Sequence, residues 1–140
     1  MKQLIRNVEI IGTGSYVPEK IYTNEHLEKL VNTVCQWIEE NLGIKERRIA
    51  SENQATSDLA ARVAEKAIEN SGLKKEDIDL IIVATATPDR LAPSTAAIVQ
   101  DKIQAYNAVA FDIAAVCSGF LFAMSVASQD IAAGVYDNVF

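Results

Sequence analysis

Apolar and polar positions follow two rhythms along this chain. Short, mostly apolar runs occur at residues 8–12 (VEIIG), 79–86 (DLIIVATA) and 107–116 (NAVAFDIAAV). Each reads as a strand, and the last two, continuous rather than alternating, read as parallel strands covered on both faces. Between them the spacing is helical. Leu59, Ala60, Val63, Ala64, Ala67 and Ile68 recur on one face, with Thr56 or Ser57 as the expected N-cap and Gly72 as the stop. Thr23 or Asn24 can cap a helix over residues 26–31, a short helix around Trp37 closes at Gly43, and residues 45–50 lead out extended. Pro93 is expected to start a helix running through Ile103.

Residues 117–134 (CSGFLFAMSVASQDIAAG) are apolar on nearly every side of a helix and end at Gly134. Such a helix belongs in the middle of a larger body. The final YDNVF reads as the first residues of another strand. Strands alternating with helices predict an α/β fold with a parallel sheet and right-handed crossovers, and the two last features predict that the chain stops inside a fold.

Composition narrows the function. The 140 residues are 49% apolar, enough for one real core. Thirteen Lys and Arg against 19 Asp and Glu give a net charge of -6, which removes the attraction that non-specific nucleic-acid binding needs. The one basic cluster, Lys45, Arg47 and Arg48, is interrupted by Glu46. No stretch approaches the ~20 apolar residues of a membrane span, and residues 1–12 have too brief an apolar run for a leader. The expectation is a cytoplasmic protein without nucleic-acid or membrane partners.

Cys35 and Cys117 are far apart with no C-x-x-C and no nearby His, so free thiols are expected, with neither a disulfide framework nor a metal site. Gly12-Thr13-Gly14 resembles a dinucleotide-binding loop, but Val17 stands where the third glycine belongs and Pro18 follows, so a turn explains it better. Cys117 lies where an apolar strand meets the start of the apolar helix. Helix-start N–H groups favour a thiolate there, small Ser118 and Gly119 leave room for a carbonyl, and the Cys117 N–H could donate to an oxyanion. Local features also fit a small buried hydrophobe. Cys35, in an ordinary amphipathic segment, reads as inert.

Four stretches, GTGSYVPE, WIEENLGIKERRIA, LIIVATATP and above all AFDIAAVCSGF, resemble in order the N-terminal half of 3-oxoacyl-(acyl-carrier-protein) synthase III, the condensing enzyme that initiates fatty acid synthesis. The resemblance implies a thiolase-like fold, here residues 1–140 as its N-terminal half: a mixed, mainly parallel sheet with helices on both faces and a buried central helix. The family is a homodimer of chains built from two similar halves, whose helices pack in the middle. The C-terminal half is the expected covering partner.

The resemblance makes Cys117 the nucleophile. It would accept an acyl primer from acyl-coenzyme A, after which malonyl-(acyl carrier protein) decarboxylates and attacks the thioester. No cofactor is implied beyond coenzyme A thioester as substrate, and the family's stabilising His and Asn come from the C-terminal half. His26 falls outside that motif and reads as a surface residue at a helix start. Trp37 corresponds to a tryptophan that stacks on the coenzyme A adenine, Thr33 to a threonine binding the same base, and Asn41 to a position where many members carry arginine. The alternative reading of Trp37, from the residue alone, is a core anchor. Ala92 stands where well-known members carry a phenylalanine that crosses the dimer and limits primer length, which predicts a roomier primer pocket. Two other readings are a related acyl-coenzyme A-dependent acyltransferase of secondary metabolism and a non-catalytic truncated or split-gene product that acts as an interaction piece.

Overall fold

The structure, a computed structural model, describes residues 6–140. Residues 1–5, which open the stretch read as too short for a leader, lie outside them. The chain divides into two units, Val17–Gln54 and the remainder.

In the smaller unit, β1 (Lys20–Thr23) pairs antiparallel with β2 (Glu46–Ile49), Lys20 opposite Ile49 and Thr23 opposite Glu46. Residues 45–50 are extended as expected, whereas β1, only four residues long and mostly exposed, escaped the sequence reading. The Thr23 hydroxyl caps α1 (Asn24–Glu28) by accepting the His26 N–H at 3.3 Å, and the helix stops three residues short of the expected end. The second helix, α2 (Cys35–Leu42), closes at Gly43, whose φ of 67° is the left-handed conformation that glycine adopts at no steric cost. The basic cluster is turned to internal use. Arg47 donates to the Tyr22 carbonyl and the buried Asn24 side chain, and Arg48 to the Pro18 carbonyl.

The larger unit begins with α3 (Thr56–Ser71), which ends at Gly72; of its buried apolar positions Ala64 and Ala67 lie on the expected face, and Ala61 was not among the positions expected there. Its N-cap is Ala55, not Thr56 or Ser57. Those two already lie inside the helix: the Thr56 hydroxyl donates to the Thr87 carbonyl, and Ser57 is buried with its N–H donating to Asp89. Then come β3 (Leu80–Ala84), α4 (Thr95–Ile103), β4 (Val109–Ile113) and, after a tight turn, α5 (Gly119–Ala133). The helix α4 starts after Pro93 rather than at it, because the Ser94 hydroxyl accepts the Ala97 N–H and makes Ser94 the cap.

The strands β3 and β4 are parallel, Leu80 opposite Val109 through Ala84 opposite Ile113. Side chains alternate across a strand. Ile81 and Val83 join the core with Ala61 and Ala64 of α3 and Ala96, Val99 and Ile103 of α4, which leaves Leu80, Ile82 and Ala84 for the opposite face. Leu80 through Val83 are all buried, so both faces are covered, as the unbroken apolar run predicts. The tail adds to the other edge of β3: Phe140 N–H donates to Leu80 and Ile82 N–H to Phe140, at 2.9 and 2.7 Å, with a parallel bridge between Leu80 and Val139. The expected beginning of a further strand is therefore present.

Three expectations need correction. Residues 8–12 form no strand, since among the described residues no strand pairs with them. Gly12 and Gly14 make no turn either: the segment runs along α3 so closely that a Cβ on either glycine would lie 2.3 Å from a helix carbonyl, of Ala67 or Val63. Asn70 and Lys66 of α3 donate to the Thr13 and Ser15 carbonyls and fasten it there. Finally, residues Val116–Ala133 are long and apolar enough to cross a membrane by length and composition, with mean hydropathy 1.3 and 6% of the run buried. Scattered Ser, Gln and a single Asp130 hid this in the unbroken-run count. The central helix of a larger body has the same composition. Among the described residues α5 stays open at Phe120, Leu121 and Phe122, 67, 70 and 56% exposed, in keeping with a helix whose cover is expected from the C-terminal half.

Candidate active site

Cys117 sits in a single 3-10 turn, Val116–Ser118, between the end of β4 and the start of α5. Val116 adopts φ 47°, a left-handed conformation that costs a β-branched residue on the order of 1–3 kcal/mol and persists only where the surroundings enforce it. Both flanks do so. On one side β4 is hydrogen-bonded into the sheet. On the other, Ser118 donates from its N–H and its hydroxyl to the Ala115 carbonyl, at 3.1 and 2.8 Å. Gly119 is buried against the end of β3, and a Cβ there would meet the Ala84 Cβ at 3.3 Å, so glycine lets α5 start close to the sheet.

The result is a sharp corner with the Cys117 thiol exposed at its tip. Among the described residues no side chain caps α5; the Ser118 and Gly119 N–H groups next to the thiol donate to the Ala115 and Val116 carbonyls. A corner of this kind presents a sulfur to a substrate carbonyl beside N–H groups that favour negative charge.

Cys35 stands in a contrary setting at the start of α2. Partial burial, and then the Glu28 carboxylate that accepts the Cys35 N–H, push its thiol up to about 11. Almost no thiolate exists there at neutral pH, and the thiolate is the nucleophile.

Two sequence-singled residues share the smaller unit: Trp37, 55% exposed on α2, and Thr33, half-buried two residues before that helix. An exposed ring is what stacking requires, and it is not a core anchor. Asn41 donates back to the Trp37 carbonyl at 2.9 Å. His26 is exposed on α1 with its ring 4.0 Å from that of Tyr22. Ala92 lies with Cys117 in the larger unit, exposed in the loop between β3 and α4. Among the described residues no group of three or more His, Cys, Asp or Glu is placed to hold a metal ion.

Sequence reasoning missed the side chains that lock this corner's surroundings. Asp112 of β4 accepts the N–H groups of Thr95 and Ala96, and Asp89 joins the same loop to α3. The available signal was a lone carboxylate inside an apolar strand, which is costly unless paired.

A family profile for 3-oxoacyl-(acyl-carrier-protein) synthase III matches residues 111–140, from the middle of β4 to the tail strand. The chain is 59% identical over 132 residues to the beta-ketoacyl-(acyl-carrier-protein) synthase III of Clostridium acetobutylicum, which covers 94% of this chain and 40% of that protein. Of solved structures, it matches 3-oxoacyl-(acyl-carrier-protein) synthase III of Aquifex aeolicus with TM-score 0.88 and 46% identity, over 93% of this chain and 42% of that one. It also matches the priming beta-ketosynthase of a polyketide biosynthetic pathway, with TM-score 0.85 and 30% identity over 91% and 38% of the two chains. The chain spans about two fifths of the length of the curated relatives it matches. Its fold is the α/β thiolase-like fold of the matching part of those structures.

Proposed function

Starting from the chain as a homologue of beta-ketoacyl-(acyl-carrier-protein) synthase III over about 40% of that enzyme's length, we propose that residues 1–140 are its N-terminal half and carry its nucleophile, Cys117. The observation that carries this reading is the exposed thiol in the enforced turn between β4 and α5. The Cys117 thiolate attacks the carbonyl of an acyl-coenzyme A, the oxyanion draws on N–H groups at the corner, and coenzyme A leaves as its thiol. Malonyl-(acyl carrier protein) then loses carbon dioxide, and its enolate carbon attacks the cysteine thioester. This releases 3-oxoacyl-(acyl carrier protein) and returns the thiol.

Trp37 and Thr33 bind the adenine of coenzyme A, and Ala92 leaves the primer pocket wider than a phenylalanine would. The His and Asn that stabilise the enolate and oxyanion belong to the C-terminal half, which also covers α5, and the complete enzyme works as a cytoplasmic homodimer. An apolar helix exposed at Phe120, Leu121 and Phe122 supports such a cover, since burying that surface is worth about 25 cal/mol per Å². A second reading, transfer of the acyl group in secondary metabolism, is favoured by one observation, the match to a priming beta-ketosynthase.

The test is intact mass of the full-length protein after incubation with acetyl- or hexanoyl-coenzyme A. A covalent acyl adduct, absent from Cys117→Ala and discharged by malonyl-(acyl carrier protein), is the expected result. Discharge only by a different acceptor would favour the second reading, and an adduct that survives Cys117→Ala would reject both.

A further inference from the structure

The strand β4 carries one charged residue, Asp112, in an otherwise apolar V-A-F-D-I. Alternation puts Asp112 on the same face as Ala110, which packs against the core with α4. A half-buried carboxylate in that position needs partners, and it has two. Its Oδ2 accepts the Thr95 N–H and its Oδ1 the Ala96 N–H, each at 2.7 Å. With Ser94 taking the Ala97 N–H, three of the unpaired donors that open any helix are satisfied at α4.

The bonds continue outward. The buried Thr95 hydroxyl accepts the Asp89 N–H at 3.2 Å, and the Asp89 carboxylate accepts the Ser57 N–H of α3 at 2.9 Å. Further back in the loop, the Thr85 N–H donates to Ile113, the neighbour of Asp112, at 3.1 Å. Ala92 lies between Asp89 and Thr95, both members of this chain of bonds. Cys117 lies five residues beyond Asp112, across the left-handed Val116. One carboxylate therefore ties together the strand that leads into the nucleophile and the loop that bears the primer-pocket position.

We propose that Asp112 is a positioning residue that fixes the Cys117 corner and the Ala92 loop in one register, so that acylation rate and primer-length selectivity depend on it together. The proposal rests on Cys117 being the acylated nucleophile. Asparagine is nearly isosteric but has one acceptor oxygen, and its amide hydrogens would face the second N–H donor. Asp112→Asn thus releases one anchor of α4 without opening a cavity.

In the full-length protein, Asp112→Asn should slow acylation of Cys117 at saturating acetyl-coenzyme A by tenfold or more. The half-saturating concentration should change less than twofold, and the hexanoyl-to-acetyl rate ratio at least threefold. Val99→Ala, which removes buried volume from α4 and leaves every one of these hydrogen bonds, is the control for plain destabilisation and should leave the ratio within a factor of 1.5. Should Asp112→Asn not fold, Asp89→Ala, which removes the acceptor of the Ser57 N–H at the outer end of the chain of bonds, should change the ratio by about twofold. Rates and ratio within twofold and 1.5-fold of the parent, or a Val99→Ala protein that reproduces the shift, would overturn the proposal. Acyl adducts that persist in Cys117→Ala would instead reject the nucleophile assignment beneath it.

Discussion

The strand β3 and the helix α5 are both strongly apolar segments of the chain, and they end in opposite surroundings. Leu80 through Val83 are buried on both faces, whereas Phe120, Leu121 and Phe122 stand more than half exposed. The difference starts in the backbone. A strand needs neighbours for its N–H and C=O groups, and β3 obtains them from β4 on one edge and the tail residues on the other. A helix closes its hydrogen bonds internally, so α5 can form while its apolar surface waits for cover. An apolar run states that a surface must be buried; the hydrogen-bond pattern decides whether the same chain has to supply the cover.

That contrast breaks most readily at Ile81. Removing this fully buried side chain as Ile81→Ala should cost about 2–5 kcal/mol in urea unfolding of the chain. Leu121→Ala on the exposed face of α5 should stay within about 0.5 kcal/mol. Equal losses would mean that α5 is as much a part of this chain's core as β3.

Trp37 extends the comparison to the smaller unit, as another large apolar side chain held open. If the ring is reserved for a ligand, Trp37→Ala should leave urea stability nearly unchanged while weakening acyl-coenzyme A binding by about 1–3 kcal/mol, the usual worth of aromatic stacking on a base. Isothermal titration of the full-length protein reads the second effect. Loss of stability without loss of affinity would make the ring a packing residue.

The smallest effect concerns the pair that joins the helices over β3. Asp58 at the start of α3 binds Lys102 near the end of α4. Lys102, and then the Ala55 N–H, hold the Asp58 carboxyl below its ordinary range. A carboxyl lowered in the folded state adds stability above its unfolded value of about 3.9, and loses that contribution as pH falls through the lowered folded value. The partly exposed pair should make Asp58→Asn cost no more than about 1 kcal/mol at pH 7. Parent and variant should converge in urea unfolding as the pH drops below about 4. A gap that widens in acid would contradict the pairing.

Elements whose pattern repeats over many residues were legible from the sequence: β3, α3 and α5 each present at least one full run of the expected period, and Gly43, Gly72 and Gly134 end their helices in the left-handed conformation. Short elements that depend on distant partners were not. The four residues of β1 form a strand only because β2 pairs with them, and residues 8–12, more apolar than β1, lack such a partner. Capping was misread at both α3 and α4, since the choice between adjacent Ser, Thr and Pro positions turns on where Thr87, Asp89 and Asp112 arrive in space. At the candidate site, the strand-to-helix junction that marks Cys117 was visible. The left-handed Val116 and the reach of Asp112 were invisible, because both are set by contacts between segments far apart along the chain.

Cys117 is exposed at a helix-start corner, and Cys35 is partly buried beside a carboxylate. Brief treatment of the full-length protein with iodoacetamide at neutral pH, followed by peptide mapping, reads the difference between the two thiols directly. The exposed Cys117 should carry the adduct, with activity lost in step, while Cys35, its thiol pushed up to about 11, stays unmodified. Labelling of Cys35 ahead of Cys117, or loss of activity with Cys117 intact, would contradict the assignment of the nucleophile.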